Sequence, residues 1–452
     1  MDKENLGSIR SGKDILKFTA PSIATILFIS SYSIVDGAFI SNFVNTDALT
    51  SINILMPAVS LLTGIGFMFS TGGSAYLANL LGKGEPEKAR GSMSLMLSVL
   101  AAVSAASAVA AVIFADPLVK LLGADEAVRG GSVEYLYGYA PFIPFLLLQF
   151  VLTQLLIVAG RPGMSLVASV AGGLSNIALD YLLIAVLDFG LAGAAAASGI
   201  GSMIPSVIGI VFLMNKNRIL HFAKPSRDFS AITSACSNGI SEMASELTGG
   251  ITILCYNLVM MEYLGPDGVA AITILSYVQF LALSAVIGYS NGIAPVMSFD
   301  HGAGDGDGMR KVFGFSLKFT AALSVLVFVM MELFSGQVAG FFAEGSESVM
   351  EITVYGAGIF SFGFLFMGFN VYASSLFTSL SNGPVSALIS LFRSLILLTP
   401  LIIILPAVFG IDAIWYAVPV TELFSAVLAS LLVIRYGGRY GYMPERKLRE
   451  RI

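Results

Sequence analysis

The chain has 452 residues, of which 56% are hydrophobic and only 12% charged, with a formal net charge of -5 and a mean hydropathy of +0.85. Roughly half the charge content of a soluble domain excludes a water-soluble globular protein and leaves an integral membrane protein. Continuous apolar runs rich in Ala, Leu, Ile and Gly, without alternation, exclude a transmembrane β-barrel and predict a helical bundle in a lipid bilayer.

The stretch from Met1 to Lys17 mixes acids and bases and lacks the short apolar core and small-residue cleavage site of a signal peptide, so the first hydrophobic segment is expected to remain as a membrane span. Hydrophobic segments then follow at 18–43, 50–80, 93–114, 132–159, 162–187, 190–214, 233–263, 268–298, 312–333, 348–380, 384–408 and 411–435, which makes twelve. Of the 24 Lys and Arg residues, all but Lys120, Arg129 and Arg393 fall at one predicted face. The excess of positive charge on cytoplasmic loops therefore predicts twelve spans with both termini cytoplasmic, in the cell membrane. Charges spread over short loops form no basic patch, and no nucleic-acid partner is expected. Cys236 and Cys255 fall about five turns apart in one predicted helix, too far to pair within it, and read as small apolar packers.

A polar break near residues 216–230 divides the chain into an expected N-terminal six-helix lobe (1–215), a linker (216–230), a C-terminal six-helix lobe (231–435) and a tail (436–452). The halves resemble each other. The constant offset that lays Asp47 on Asp267 matches Ile52 with Ile272, Leu55 with Leu275, Ser70 with Ser290, Gly72 with Gly292, Gly82 with Gly302, Gly84 with Gly304 and Arg90 with Arg310. Glu85 and Glu87 fall on Asp305 and Asp307 by the same offset. Because six is an even number, both halves enter the membrane in the same direction, and an axis along the membrane normal should relate them.

Ionisable residues inside spans are costly and mark candidate sites. Asp36 lies in the first segment, and Asn176 and Asp180 lie one turn apart on one face of the fifth. The matching positions of the second half are Tyr256, Leu397 and Leu401, so the polar set belongs to the N-terminal half alone. Both aspartates sit about 12 Å below the outer edge by helical rise. Two carboxylates at one depth require a shared proton or a bound cation. Gln154 in the fourth segment is a further candidate for ion coupling. In the second half, Glu242 and Glu246 stand at helical spacing in the seventh segment; Glu246, the deeper, and Tyr256 are the candidate substrate contacts. Arg393 and Glu422 are expected to pair across the last two spans. The Gly302-Ala-Gly-Asp-Gly-Asp-Gly308 loop has neither phosphate-loop nor calcium-loop spacing and reads as a turn. Neither histidine lies in a predicted span and no catalytic constellation appears, so an intramembrane enzyme is not expected.

Val35-Asp36, Leu81-Gly82-Lys83-Gly84, Gly160-Arg-Pro followed by Asn176-Ile-Ala-Leu-Asp180, Gly292-Ile-Ala-Pro-Val-Met-Ser298, Arg393 with Pro400, and Phe409-Gly-Ile-Asp-Ala-Ile-Trp415 with Glu422 together resemble the multidrug and toxic compound extrusion (MATE) family over nearly the whole chain. That resemblance implies an all-α membrane protein of twelve helices in two pseudo-symmetric six-helix bundles around a central cavity. It also implies export of amphipathic, mostly cationic organic compounds in exchange for protons or sodium, by a monomer with no other cofactor. The positions matching Asp36, Asn176 and Asp180 would bind the coupling ion, and would be the metal ligands if that ion is sodium. Ser241, Gln154 and Asp412 depart from the family pattern. The alternative within the same superfamily is a flippase of lipid-linked oligosaccharides, for which more basic residues than Arg393 are expected in the cavity.

Overall fold

The computed structural model describes residues 6–43, 46–343 and 346–444, with the side chains of residues 33–49 left out. The described residues form helices joined by short turns, and eleven of the helical stretches are long and apolar enough to cross a bilayer. One of them, Ser230–Ala303, runs for 74 residues, more than twice what a bilayer needs. It breaks at Gly265, whose φ of 64° and ψ of -155° no helix contains, immediately before Pro266. Splitting it there gives the twelve spans that the hydrophobic pattern predicts.

We number the spans in chain order. The N-terminal lobe holds α1 (Gly12–Phe43), α2 (Thr46–Phe67, continued through a π-helical turn at Met68–Gly72 into Gly73–Gly82) and α3 (Pro86–Ile113). It continues with α4 (Glu126–Val158), α5 (Pro162–Val186) and α6 (Gly190–Met214). The C-terminal lobe holds α7 and α8, the arms of Ser230–Ala303 before and after Gly265, then α9 (Gly306–Phe342) and α10 (Glu347–Ser379). Its last spans are α11 (Gly383–Phe409) and α12 (Ile411–Tyr440).

Helix boundaries repeat much as the sequence offset predicts. Helix α4 begins at Glu126 and ends at Val158, and α10 begins at Glu347 and ends at Ser379, so the two spans are equal in length and displaced as one block. The 3-10 interruption at Ala140–Phe142 in α4 recurs at Ser361–Gly363 in α10 with that same displacement. At the α2–α3 and α8–α9 turns, Gly84 and Gly304 both take positive φ, 74° and 69°, a conformation that a side chain would strain. Beyond each turn an i, i+3 ion pair repeats as well: Arg90 with Glu87, and Arg310 with Asp307.

The twelve antiparallel crossings gather Arg10, Lys83, Arg90, Arg161 and Arg310 at one face of the bundle, which we call the basic face. Here the lobes lock together backbone against backbone. A methyl group added at Gly82 would overlap the carbonyl oxygen of Phe299, and one added at Gly302 would overlap that of Asn79. Since the offset that lays Gly82 on Gly302 also lays Asn79 on Phe299, the contact is reciprocal, as an interface related by a two-fold axis must be. Gly72 and Gly239 make a second close approach, through the carbonyls of Ala235 and Met68. The ends of α1 and α7 cross over between lobes. Leu6, Ile9 and Ile15 join the C-terminal core with Tyr289, Val296 and Phe377, while Ala231 and Ala235 join the N-terminal core with Leu77 and Met93.

Toward the far face, hydrogen bonds join the lobes at Ser30 with Ser284, at 2.5 Å, and at Thr63 with Glu246, at 3.2 Å. Both stand about 24–29 Å from the helix ends at the basic face. The lobes are closed below that level, at the basic face.

Candidate functional site

Helix α5 is built to sit deep in the N-terminal lobe. Pro162 occupies its first turn, where the missing N–H costs nothing, and Gly172 and Gly173 leave two neighbours room to approach. Gly172 faces the carbonyl of Gly201 and the ring of Pro205 on α6, and Gly173 faces Phe28 and Tyr32 on α1. Wedged between these helices, α5 carries Asn176 at 3% exposure and Asp180 at 0%. One turn separates them, on one face. Neither the oxygen nor the nitrogen of the Asn176 amide has a hydrogen-bond partner among the described residues. A buried amide in that condition is rare and calls for a ligand or a water. Directly after Asp180 the helix widens into a π-helical turn, Tyr181–Val186, a geometry that often accompanies function. Asp36 lies on α1, and its side chain falls outside the described residues.

Gln154 is not brought to this pair. It lies about one turn from the basic-face end of α4, whereas Asn176 lies about four turns into α5, so about 15 Å of depth separates them. Its amide instead donates across the lobe boundary to the carbonyl oxygen of Asn291 at 3.0 Å. That carbonyl is free because Pro295, one turn on, has no N–H to offer it. Gln154 satisfies a backbone acceptor that a proline exposes, a role that spacing within its own helix could not reveal.

Glu246 stands on α7 at about the depth of Asp180 and accepts a hydrogen bond from the Thr63 hydroxyl of α2, so it lies where the two lobes meet. Glu242, one turn lower, is half-buried. Tyr256 lies elsewhere. It is 6% exposed in the C-terminal core with Met260, Ile272, Met331 and Trp415, and its hydroxyl has no partner among the described residues.

The C-terminal lobe contains a polar cluster of its own. Arg393 donates from Nε to Glu422 Oε1 at 2.7 Å, the pairing expected from the sequence. Asn370 on α10 completes it, with Nδ2 donating to Glu422 Oε2 at 2.7 Å and to the Glu422 carbonyl at 2.9 Å. The repeat explains why this lobe differs from the other. With the displacement that carries α4 onto α10, Arg393 and Glu422 fall on Gly172 and Gly201, which bring α5 and α6 into backbone contact. Two glycines and close packing in one lobe become an ion pair in the other. Asn370 falls on Gln149, which makes the equivalent α4–α6 link through Ser202 at 3.2 Å. Asn370 was missed by sequence reasoning. A polar residue at the same register in both halves was the available signal.

The family profile described as MatE matches residues 21–182 and 251–404, one stretch in each half. The chain belongs to the MatE family. Similar proteins include the multidrug export protein MepA of Staphylococcus aureus, 23% identical over 432 residues that cover 93% of each chain. MepA of Staphylococcus saprophyticus is likewise 23% identical, over 435 residues and 93% of each chain. Among solved structures, an outward-facing multidrug resistance MATE transporter of the MOP superfamily superposes with a TM-score of 0.91 at 18% identity, covering 98% of this chain and 99% of that one. The Vibrio cholerae MATE transporter VcmN superposes with a TM-score of 0.87 at 19% identity, over 96% and 98% of the chains. This MatE chain therefore has the two-lobe, all-helical MATE fold and is a multi-pass membrane transporter.

Proposed function

We propose that this MatE protein is a secondary antiporter that exports amphipathic, mostly cationic organic compounds in exchange for protons or sodium ions. The observation that carries the reading is the orphaned Asn176 amide one turn from the fully buried Asp180. A buried carboxylate and amide oxygen suit a proton or a hard cation, and Asp36, in the neighbouring α1, supplies the second carboxylate. The basic face is cytoplasmic in this reading, which is what the excess of Lys and Arg there supports. Substrate sits between the lobes with Glu246 as its acidic contact, and Tyr256 backs that wall from the core. The chain works as a monomer in the cell membrane, its two lobes divided at the 216–230 segment and moving against each other. The ion shifts the lobes only through different affinity in the two states. The names of the MepA relatives support multidrug export, and no observation favours the oligosaccharide flippase.

Purified protein in liposomes, loaded with a fluorescent organic cation, tests this under an imposed proton or sodium gradient. One gradient should drive transport in the wild type, and Asp180→Asn should abolish the response while substrate binding persists. Export by Asp180→Asn that still follows the gradient would reject the assignment.

A further inference from the structure

At the basic face, between α2 and α7, the structure opens a cleft of about 710 Å³ lined by Tyr76, Asn79, Lys83, Thr233, Asn238 and His301 together with small hydroxyl residues. It lies well below the Asp180 level and plays no part in the mechanism above. We propose that this cleft binds a phosphate group, carried by a lipid headgroup or free in solution.

Chemistry is the first argument. The lining presents hydroxyls, amides, an imidazole and one ammonium group, and none of its residues is acidic. Lys83 has no ion-pair partner among the described residues, because the neighbouring Glu85 and Glu87 are engaged by Lys88 and Arg90. Asn79 is 8% exposed and its side chain makes no hydrogen bond among the described residues. Asn238, 4% exposed, accepts from the Gly383 N–H at 3.2 Å, which leaves its Nδ2 hydrogens for the cleft. Both amides open onto the cleft, so their donors are available to whatever occupies it. Donors around one unpaired cation suit an anionic oxygen cluster and repel an organic cation.

The second argument is asymmetry. Under the repeat that lays Gly82 on Gly302, Tyr76, Asn79, Thr233 and Asn238 correspond to Val296, Phe299, Lys13 and Phe18. On that side of the pseudo-two-fold axis Val296 is fully buried beside Ile15 and Tyr289, with Phe18 and Phe299 against them, and Lys13 is exposed. Apolar side chains stand there in place of Tyr76, Asn79 and Asn238, so a polar lining between α2 and α7 is not required to hold the lobes together. A ligand there touches α2 of one lobe and α7 and α8 of the other, so it favours the state closed at this face.

The test uses the full chain in detergent, titrated with inorganic phosphate against chloride at constant ionic strength, with thermal unfolding as the readout. Wild type should show a saturable rise in Tm, with an apparent Kd at least about tenfold weaker in Lys83→Gln and in Asn79→Leu. Lys88→Gln, on the same face but outside the cleft, should titrate like wild type. In a second arm, nanodiscs of phosphatidylglycerol and of phosphatidylcholine are compared by native mass spectrometry. Phosphatidylglycerol retained through Lys83 without an inorganic phosphate effect assigns the group to a headgroup, and the reverse assigns it to a free phosphate. No saturable effect in either arm, or an effect lost equally in Lys88→Gln, overturns the proposal.

Discussion

Asn176 and Asp180 make separable demands on the fold. Asp180 is enclosed by the helices that pack on α5, and replacing it with Asn removes a charge while keeping volume, so the protein should fold and lose coupling. Asn176→Leu removes an amide that has no protein partner among the described residues. If the amide serves only as an ion ligand, stability measured by thermal unfolding should hold or rise while coupled flux falls. Loss of folding with unchanged coupling would give Asn176 a structural role instead. The Arg393–Glu422 pair behaves the opposite way. Glu422 is 3% exposed in its side chain, so Arg393→Met alone strands a buried carboxylate at a cost of about 3–5 kcal/mol, whereas Arg393→Met with Glu422→Leu should recover most of that loss. A double-mutant cycle on unfolding in detergent checks the coupling. Equal loss in the single and double variants would mean that Asn370, not the pair, holds α10, α11 and α12 together.

At the scale of elements, irregular helix marks the places where the two halves serve different ends. Among the described residues, the π-helical turns fall at Met68–Gly72, at Tyr181–Val186 after Asp180, and at Phe392–Leu398 around Arg393. The N-terminal end of α1 is a fourth special place. Arg10 meets Asp300 through both carboxylate oxygens, at 2.9 and 3.0 Å, and Asp305 at 2.8 Å, tying the start of the chain to the α8–α9 turn. Asp300 is fully buried. Opening the basic face has to break or carry this latch, so Arg10→Gln should shift the lobes toward the open state, read as greater labelling of a cysteine at Asn79. The Gly308 N–H first, and then Arg10, hold the Asp305 carboxyl below its ordinary range. Its share of the latch is therefore complete at neutral pH and is lost only as pH falls through that lowered value. Gly82→Ala acts on the same face by overlap with a backbone carbonyl, which no rotamer can relieve. It should cost about 1–3 kcal/mol of the closed state. Unchanged labelling in both variants would show that neither contact holds the basic face shut.

Much of this architecture was legible in the sequence because bilayer thickness and backbone hydrogen bonding leave few options for a chain this apolar. Twelve spans, the pairing of Arg393 with Glu422, and the matched turns at Gly84 and Gly304 follow from hydrophobic runs and a constant offset. What the sequence concealed are contacts between helices far apart in the chain. Spacing placed Gln154 on a plausible face but could not show that Pro295, on a helix of the other lobe, leaves the acceptor it satisfies. Nor could it show that Tyr256, opposite Asp36 in the repeat, packs into the core of its own lobe. The crossing of the α1 and α7 ends between lobes was equally invisible, since an apolar residue reads alike whichever core receives it.

That crossing decides how the molecule can move. If the lobes rock as nearly rigid bundles about an axis in the membrane plane, contacts at and below the Ser30–Ser284 level exist only while the basic face is closed. The two hydroxyl oxygens are 2.5 Å apart. Paired thiols in their place come within reach of a disulfide after a small side-chain adjustment. In a background where Cys236 and Cys255 are replaced by Ala, Ser30→Cys with Ser284→Cys should crosslink on mild oxidation. The disulfide should stop export, and reductant should restore it, with each single variant serving as the control. Saturating coupling ion and substrate should change the crosslinking rate in opposite directions if they favour opposite states. A fully crosslinked protein that still turns over would show that α1 and α8 move together, and the division between moving bodies would then have to be drawn through the N-terminal lobe rather than between the halves.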